Sequence, residues 1–344
     1  MRLREFIHFF ILALTSCFVG VIAQAQDFQK LDAATLPIQA KIHIGGDPDW
    51  LATGFGSVWV AVPKRNEIVR IDPKRNVIQA RIQVGNEPCY GIGVGATRIW
   101  VLNCKSQTLV RVNPRTNKVD VKVLAIIAPH GEGSIAADGS GAWYVSNQDG
   151  HSSTLVQVDA LGRTRAKIAV GADSAVVNVA FGSVWVTSSG EGKIYRVDPK
   201  SHAIIAKINV AATPRFTTVS DDSIWVLSQS DGSIARIDPK ESRVIATIQA
   251  RVPGGGGDIA YGGGYIWAAA SGTPVIRIDP KTNRVLEEYS NYKGADAIRF
   301  GLGSVWVSDH GKGDVWRVNP AKIGRSPEKA KPNGQAEALL LQYN

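Results

Sequence analysis

Cysteine and methionine are scarce: the 344 residues hold three of the first and one of the second. No cysteine–histidine metal spacing can be built from them, which excludes a structural zinc framework of that kind. Beyond residue 25 no apolar run approaches the ~20 residues that a membrane-spanning helix needs. No Gly-x-Ser-x-Gly elbow occurs, and the phosphate-loop lookalikes fail on context. "GIGVGA" (91–96) runs into a strand rather than a helix, "GEGK" (190–193) lacks the following Ser or Thr, and "GGGG" (254–257) joins two repeats. What is abundant is glycine, at 35 residues, together with Val, Ile and Thr. That composition favours strands and turns over helices.

The chain opens with "MRLREFIHFFILALTSCFVGVIAQAQ": a basic start, an apolar run, then the small-x-small signal Ala23-Gln24-Ala25. Residues 1–25 therefore read as a signal peptide, and the remainder as exported, periplasmic or secreted. Lipid attachment at Cys17 is the competing reading, because "LTSC" has the small-residue pattern of a lipoprotein site. Cleavage after Ala25 removes Arg2, Arg4 and Glu5 and lowers the formal charge from +9 to +8. It leaves Cys89 and Cys104 in an oxidising compartment. Counting outward from a turn at Ala96-Thr97 sets Cys89 opposite Cys104. Directly opposed cysteines can bridge, so a disulfide is expected.

A hydrophobic burst centred on tryptophan recurs seven times, at Trp59, Trp100, Trp143, Trp185, Trp225, Trp267 and Trp306. Each is followed by an Asp or Asn that opens a turn, and in six of the seven a proline comes next. Asp then Pro is type I turn chemistry, since proline presets φ and the carboxylate accepts a local hydrogen bond. Each unit of about 41 residues has room for four short strands, the arithmetic of a propeller blade. Small residues stand seven positions before each Trp, from Ala52 to Ala260, where blades converge on an axis. Arg299 fills that slot in the seventh unit. The tryptophans hold one strand position with apolar neighbours and are expected to pack blade on blade. The Arg two residues before most turns, such as Arg70 or Arg317, is expected to act as a brace.

The seventh unit ends at "VWRVNP" (315–320) without a fourth strand, whereas "IQAKIHIGGDPDW" (38–50) mirrors the fourth strand at "IQARIQVGNEPCY" (78–90). Residues 38–44 are therefore expected to complete blade seven and close the ring, which removes open sheet edges. The fold class is all-β: a seven-bladed β-propeller of four-stranded blades over 38–320. Residues 26–37 read as a linker, and 321–344 as a tail that drapes over the propeller or docks a partner.

The repeat G-S-x-W-V … R-I-D-P-x-x-N-x-V-x-A-x-I-x-V-G resembles the YVTN-type and streptogramin (virginiamycin B) lyase-like β-propellers. The resemblance covers about residues 38–320 and implies the fold; it spans both a lyase and binding proteins, and a fold does not settle function. The lyases imply a His ten residues before a blade Trp, a Glu four residues after one, and a magnesium ion. Here the first set of slots holds Asp49, Tyr90, Gly133, Ala175, Arg215, Gly257 and Asp296. The second holds Pro63, Cys104, Asn147, Ser189, Gln229, Ser271 and His310. Neither the His nor the Glu carries over.

Irregular loops on the face bearing the blade-to-blade links are where a site is expected. Blade three is the irregular one: "APHGEGS" and "SNQDGHSST" are both extended. They bring His130, Glu132, Asp149 and His151 into reach of one another, a set suited to a divalent ion such as Mg or Zn or to acid–base work. Asp49, Arg215, Asp296, Asp309 and His310 share that mouth, with Arg299 below. A lone Arg in a narrow channel needs a carboxylate, and Asp296 or Asp309 is the expected supplier. On the opposite face, the six residues after each turn Asp/Asn hold thirteen Lys or Arg against one acid, Glu241. Such a ring suits a polyanion or an anionic surface. It lacks the interleaved aromatics of single-strand nucleic-acid binding. The sequence thus favours an exported monomeric binding scaffold for a small molecule, peptide or protein, with a metal-dependent lyase using the blade-three cluster as the alternative.

Overall fold

A computed structural model describes residues 28–127, 133–147, 152–252 and 257–325. Its strands fall into seven sheets arranged as consecutive blades, each an antiparallel meander of four strands. Blade one shows the logic of the others. Its second strand, Ser57–Val62, is buried at every position, while its fourth, Val77–Gln83, alternates exposed and sheltered residues. A strand sandwiched between two blades must be apolar on both faces, whereas an outer strand needs one dry face only. That is why the sequence runs "SVWVAV" in one place and "VIQARIQ" in the other.

The seven blade tryptophans are all buried. Six of the indole N–H groups donate to the hairpin between strands one and two, among them Trp59 to the Gly54 carbonyl at 3.1 Å, Trp267 to that of Gly262 at 2.9 Å, and Trp143 to the Asp138 carboxylate at 2.8 Å. The expected arginine brace is present and joins neighbouring blades. Arg70 donates to Ser57 Oγ at 2.8 Å, stacks 5.0 Å over Trp59, and reaches the Pro114 carbonyl of the next blade's turn at 2.6 Å. Arg236 repeats this with Ser223 and Pro280. Arg317 of blade seven bonds to the Pro73 carbonyl of blade one, so the same device seals the ring.

The ring closes through the N-terminal segment. We label its two strands β1 (Gln29–Asp32) and β2 (Ile38–His43). β2 pairs antiparallel with Asp314–Val318, Lys41 facing Trp316, and is the fourth strand of blade seven. The expected linker over 26–37 is corrected in its described part: β1 pairs parallel with Arg284–Ser290 and makes blade six five-stranded. A four-residue strand reading "QKLD", with both faces largely exposed, has no apolar alternation by which to be recognised.

The Cys89–Cys104 disulfide is present within blade two, with 5.8 Å between Cα atoms. The ladder around it is not the uniform one expected. Gly93 faces Trp100 as counted, but Pro88 faces Asn103, a slip of two residues that the bridge spans.

Candidate functional site

The seven positions ten residues before each Trp begin the innermost strands, so in the ring they crowd one end of the channel. Asp49 of blade one and Asp296 of blade seven become neighbours this way, and His310 arrives from the hairpin between strands two and three of blade seven. The donor atoms of Asp49, Asp296 and His310 lie within 4.8 Å of one another. Asp296 is held from behind by the Gly257 N–H at 3.2 Å, and the His310 N–H donates to the Gly294 carbonyl at 2.7 Å. His310 is exposed and the two carboxylates are half-buried.

One residue further along, the positions nine before each Trp point into the channel. They are Trp50, Gly91, Ser134, Val176, Phe216, Asp258 and Ala297. Trp50 and Phe216 meet across the axis with ring centroids 5.7 Å apart, and both are buried. They floor a pocket of about 10 Å³ bounded by Asp49, Asp296, Gly257 and Asp258. That is room for a single water or ion and no more. Below the aromatic pair lies a polar chamber of about 160 Å³ lined by Ser134, Asn178, Thr217 and Arg299.

Arg299 is paired, but not with the expected carboxylates. Asp258 of blade six takes its Nη1, and also accepts from the Ile298 N–H at 3.1 Å and the Ile259 N–H at 2.8 Å. Burial pushes the Asp258 carboxyl above its ordinary range, against the pull of the Arg299 charge and these hydrogen bonds. Asp309 is likewise occupied elsewhere. It is fully buried, accepts from the Tyr292 hydroxyl, and takes the Lys312 N–H at 3.1 Å. Desolvation, then the Asp309 hydrogen bond, pushes the Tyr292 phenol well above its usual value. The structure thus separates Asp309 and Arg299 from the mouth and keeps Asp49, Asp296 and His310 there. Arg215, at the mouth on blade five, lies 5.8 Å over the Phe216 ring, and its charge reaches Tyr90. Burial pushes the Tyr90 hydroxyl up to about 12, with Arg215 opposing. His130, Glu132, Asp149 and His151 lie outside the described residues.

A third of the chain, residues 215–330, matches a family described as a domain of unknown function, DUF5074. Virginiamycin B lyase from Staphylococcus aureus superposes with a TM-score of 0.65 at 15% identity, over 81% of this chain and 98% of the lyase. A streptogramin B lyase gives 0.66 at 18% identity, over 83% and 95% of the two chains. The fold is that of the streptogramin B lyases. BamB from Moraxella catarrhalis is similar too, with a TM-score of 0.57 at 13% identity over 80% and 82%. No curated protein matches the sequence.

Set on this shared frame, blade seven stands out. Of the seven slots of each kind, blade seven holds Asp296 ten residues before its Trp and His310 four residues after it. The lyases' His and Glu do not carry over slot by slot, and in space Asp296 and His310 converge with Asp49 of blade one. The residues the sequence reading passed over, Trp50, Phe216 and Asp258, share the position nine before Trp. Tabulating that column would have found them.

Proposed function

We propose that the protein is an exported, non-catalytic binding propeller that recognises its ligand or partner at the channel mouth through a divalent cation held by Asp49, Asp296 and His310. The observation that carries this reading is their convergence within 4.8 Å beside an ion-sized pocket floored by Trp50 and Phe216. Two carboxylates and an imidazole form a mixed oxygen–nitrogen donor set, which suits zinc or manganese better than magnesium. A bound ion would offer its remaining positions to an oxygen of the ligand, and the Arg215 charge would add attraction for an anionic group. The sealed floor argues for a ligand docked over the face rather than threaded through the channel.

Calorimetric titration of zinc, manganese and magnesium into the purified chain tests this. One equivalent of zinc or manganese is expected to bind. The Asp49→Asn/Asp296→Asn/His310→Ala variant should lose at least tenfold in affinity while melting as the parent does. No binding of any of the three ions, or equal binding by the variant, would overturn the reading. Unchanged metal binding in the variant together with its loss in His130→Ala/Glu132→Ala/His151→Ala would move the site to blade three.

One observation favours a second reading, metal-dependent lyase action. Blade seven places an acid and an imidazole in slots of the two kinds that the resemblance implies for a His and a Glu, in reversed order, and a catalytically inactive virginiamycin B lyase with quinupristin shares the fold at a TM-score of 0.66. Incubation with quinupristin and manganese or magnesium, followed by mass analysis, separates the two: product formation abolished by His310→Ala would establish the lyase.

A further inference from the structure

The face opposite the mouth carries a pattern that folding does not require. The hairpins between strands one and two of blades one, four and seven turn at Phe55-Gly56, Phe181-Gly182 and Leu302-Gly303. Both turn residues have positive φ in each case: 53° and 67°, 51° and 68°, 54° and 73°. This is the type I′ geometry that favours Asn-Gly, and a bulky apolar residue at positive φ is strained. Blade six makes the same turn with Gly263-Gly264, at φ 61° and 82°, so the geometry needs no large side chain. Nor do these residues repay the strain by burial, since Phe55, Phe181 and Leu302 are 37%, 39% and 43% exposed. Leu161, in the outer turn of blade three on the same face, is 53% exposed.

These apolar tips stand inside the basic ring. The thirteen Lys and Arg that follow the turn Asp/Asn are all exposed. The turn carboxylates are directed inward to cap backbone N–H groups: Asp72 takes Lys74 N–H at 2.8 Å, Asp198 takes Lys200 at 2.9 Å, and Asp238 takes Lys240 at 2.7 Å. The lysine head groups are left outermost. Arg70 links tip to turn, donating to the Phe55 carbonyl at 3.3 Å and to the Pro114 carbonyl of the next blade's basic turn at 2.6 Å.

We propose that this face docks on an anionic lipid surface, with the basic turns held at the headgroups and the apolar tips inserted. Charge alone gives weak, salt-labile attachment, and short apolar contacts alone give marginal attachment; reversible membrane binding takes both together. The face supplies both, distributed around the ring: blades seven and one on one side of the axis, blades three and four on the other. A soluble polyanion would use the lysines but gain nothing from exposed leucines. The inference is independent of the cation at the mouth, and docking in this way leaves the mouth facing away from the membrane.

The test is co-sedimentation of the chain from Gln26 onward, which carries every described blade, with vesicles of phosphatidylcholine alone or with about a third phosphatidylglycerol. Binding to the anionic vesicles is expected to exceed that to the neutral ones by at least tenfold at low salt, and to weaken as salt rises. The variant Phe55→Asn/Phe181→Asn/Leu302→Asn installs the residue the turn prefers, so it should fold and melt at or above the parent temperature. It is expected to lose at least tenfold in vesicle binding, and residues 326–344 are common to both chains. Failure of the parent to bind anionic vesicles would overturn the proposal. So would a variant that binds them undiminished, and parent and variant binding heparin equally would then assign the ring to polyanions.

Discussion

Arg299 shows how far single residues could be read. Its slot and its need for a carboxylate were legible, because a guanidinium among small channel-lining residues stands out in a column of Ala, Gly, Asn and Thr. Its partner was not, because Asp258 belongs to the preceding blade and the offset between blades is written nowhere in the local sequence. The same limit hid the contact of Trp50 with Phe216, four blades apart in the chain and adjacent across the axis. The pair supports a quantitative expectation. Asp258 is almost wholly buried, so Arg299→Met should strand its charge and destabilise the fold by ~3–5 kcal/mol. Arg299→Met/Asp258→Leu should recover most of that loss. Chemical denaturation of the three proteins measures both steps, and a double variant no more stable than the single one would mean that the pair is not coupled in this way.

At the scale of the element, hairpins were legible and edges were not. Turn chemistry is local, so Asp-Pro-Lys and Asn-Pro-Arg declare themselves; β1 has no such signature and owes its existence to the exposed edge of blade six. The turns also tie stability to pH. The Asp72 carboxyl is held below its ordinary range by Arg75 and then by the Lys74 and Arg75 N–H groups; Asp198 and Asp238 are held low by the N–H groups of their own turns. At Asp159 desolvation pushes the other way, yet hydrogen bonds from Arg163 and Leu161 bring it down to about 2. A depressed carboxyl stabilises the fold fully above the unfolded value of about 3.9 and loses that contribution as pH falls through the folded value. Melting temperature should therefore not fall on these groups' account above about pH 5 and should decline from about pH 4 downward. Asp72→Asn/Asp198→Asn/Asp238→Asn keeps the turn acceptor, as Asn113 does for Arg115 N–H at 2.9 Å, and should flatten that decline. An identical acid slope in the variant would show that the turns are not its source.

For the whole molecule, seven near-copies of one phrase announced the ring, and the fourth strand missing from the seventh copy, supplied by residues 38–44, announced its closure; both rest on repetition rather than on any single residue. The channel mouth was harder to read because it is assembled from three columns of the repeat, and which of their residues meet depends on which blades are neighbours. Closure can be tested directly. Deleting residues 38–44 removes β2, leaves Asp314–Val318 as an open edge, and should yield aggregation or a large fall in melting temperature. A deletion variant that stays monomeric and melts like the parent would show that β2 is dispensable. The pairing of Ile38 with Val318 also has a meaning in time. This strand, among the first to leave the ribosome, finds its partner only when almost the entire chain has followed. A copy that ends before residue 314 lacks the strand β2 pairs with and is left with an open edge. Closure of the ring therefore reports that synthesis has passed residue 318.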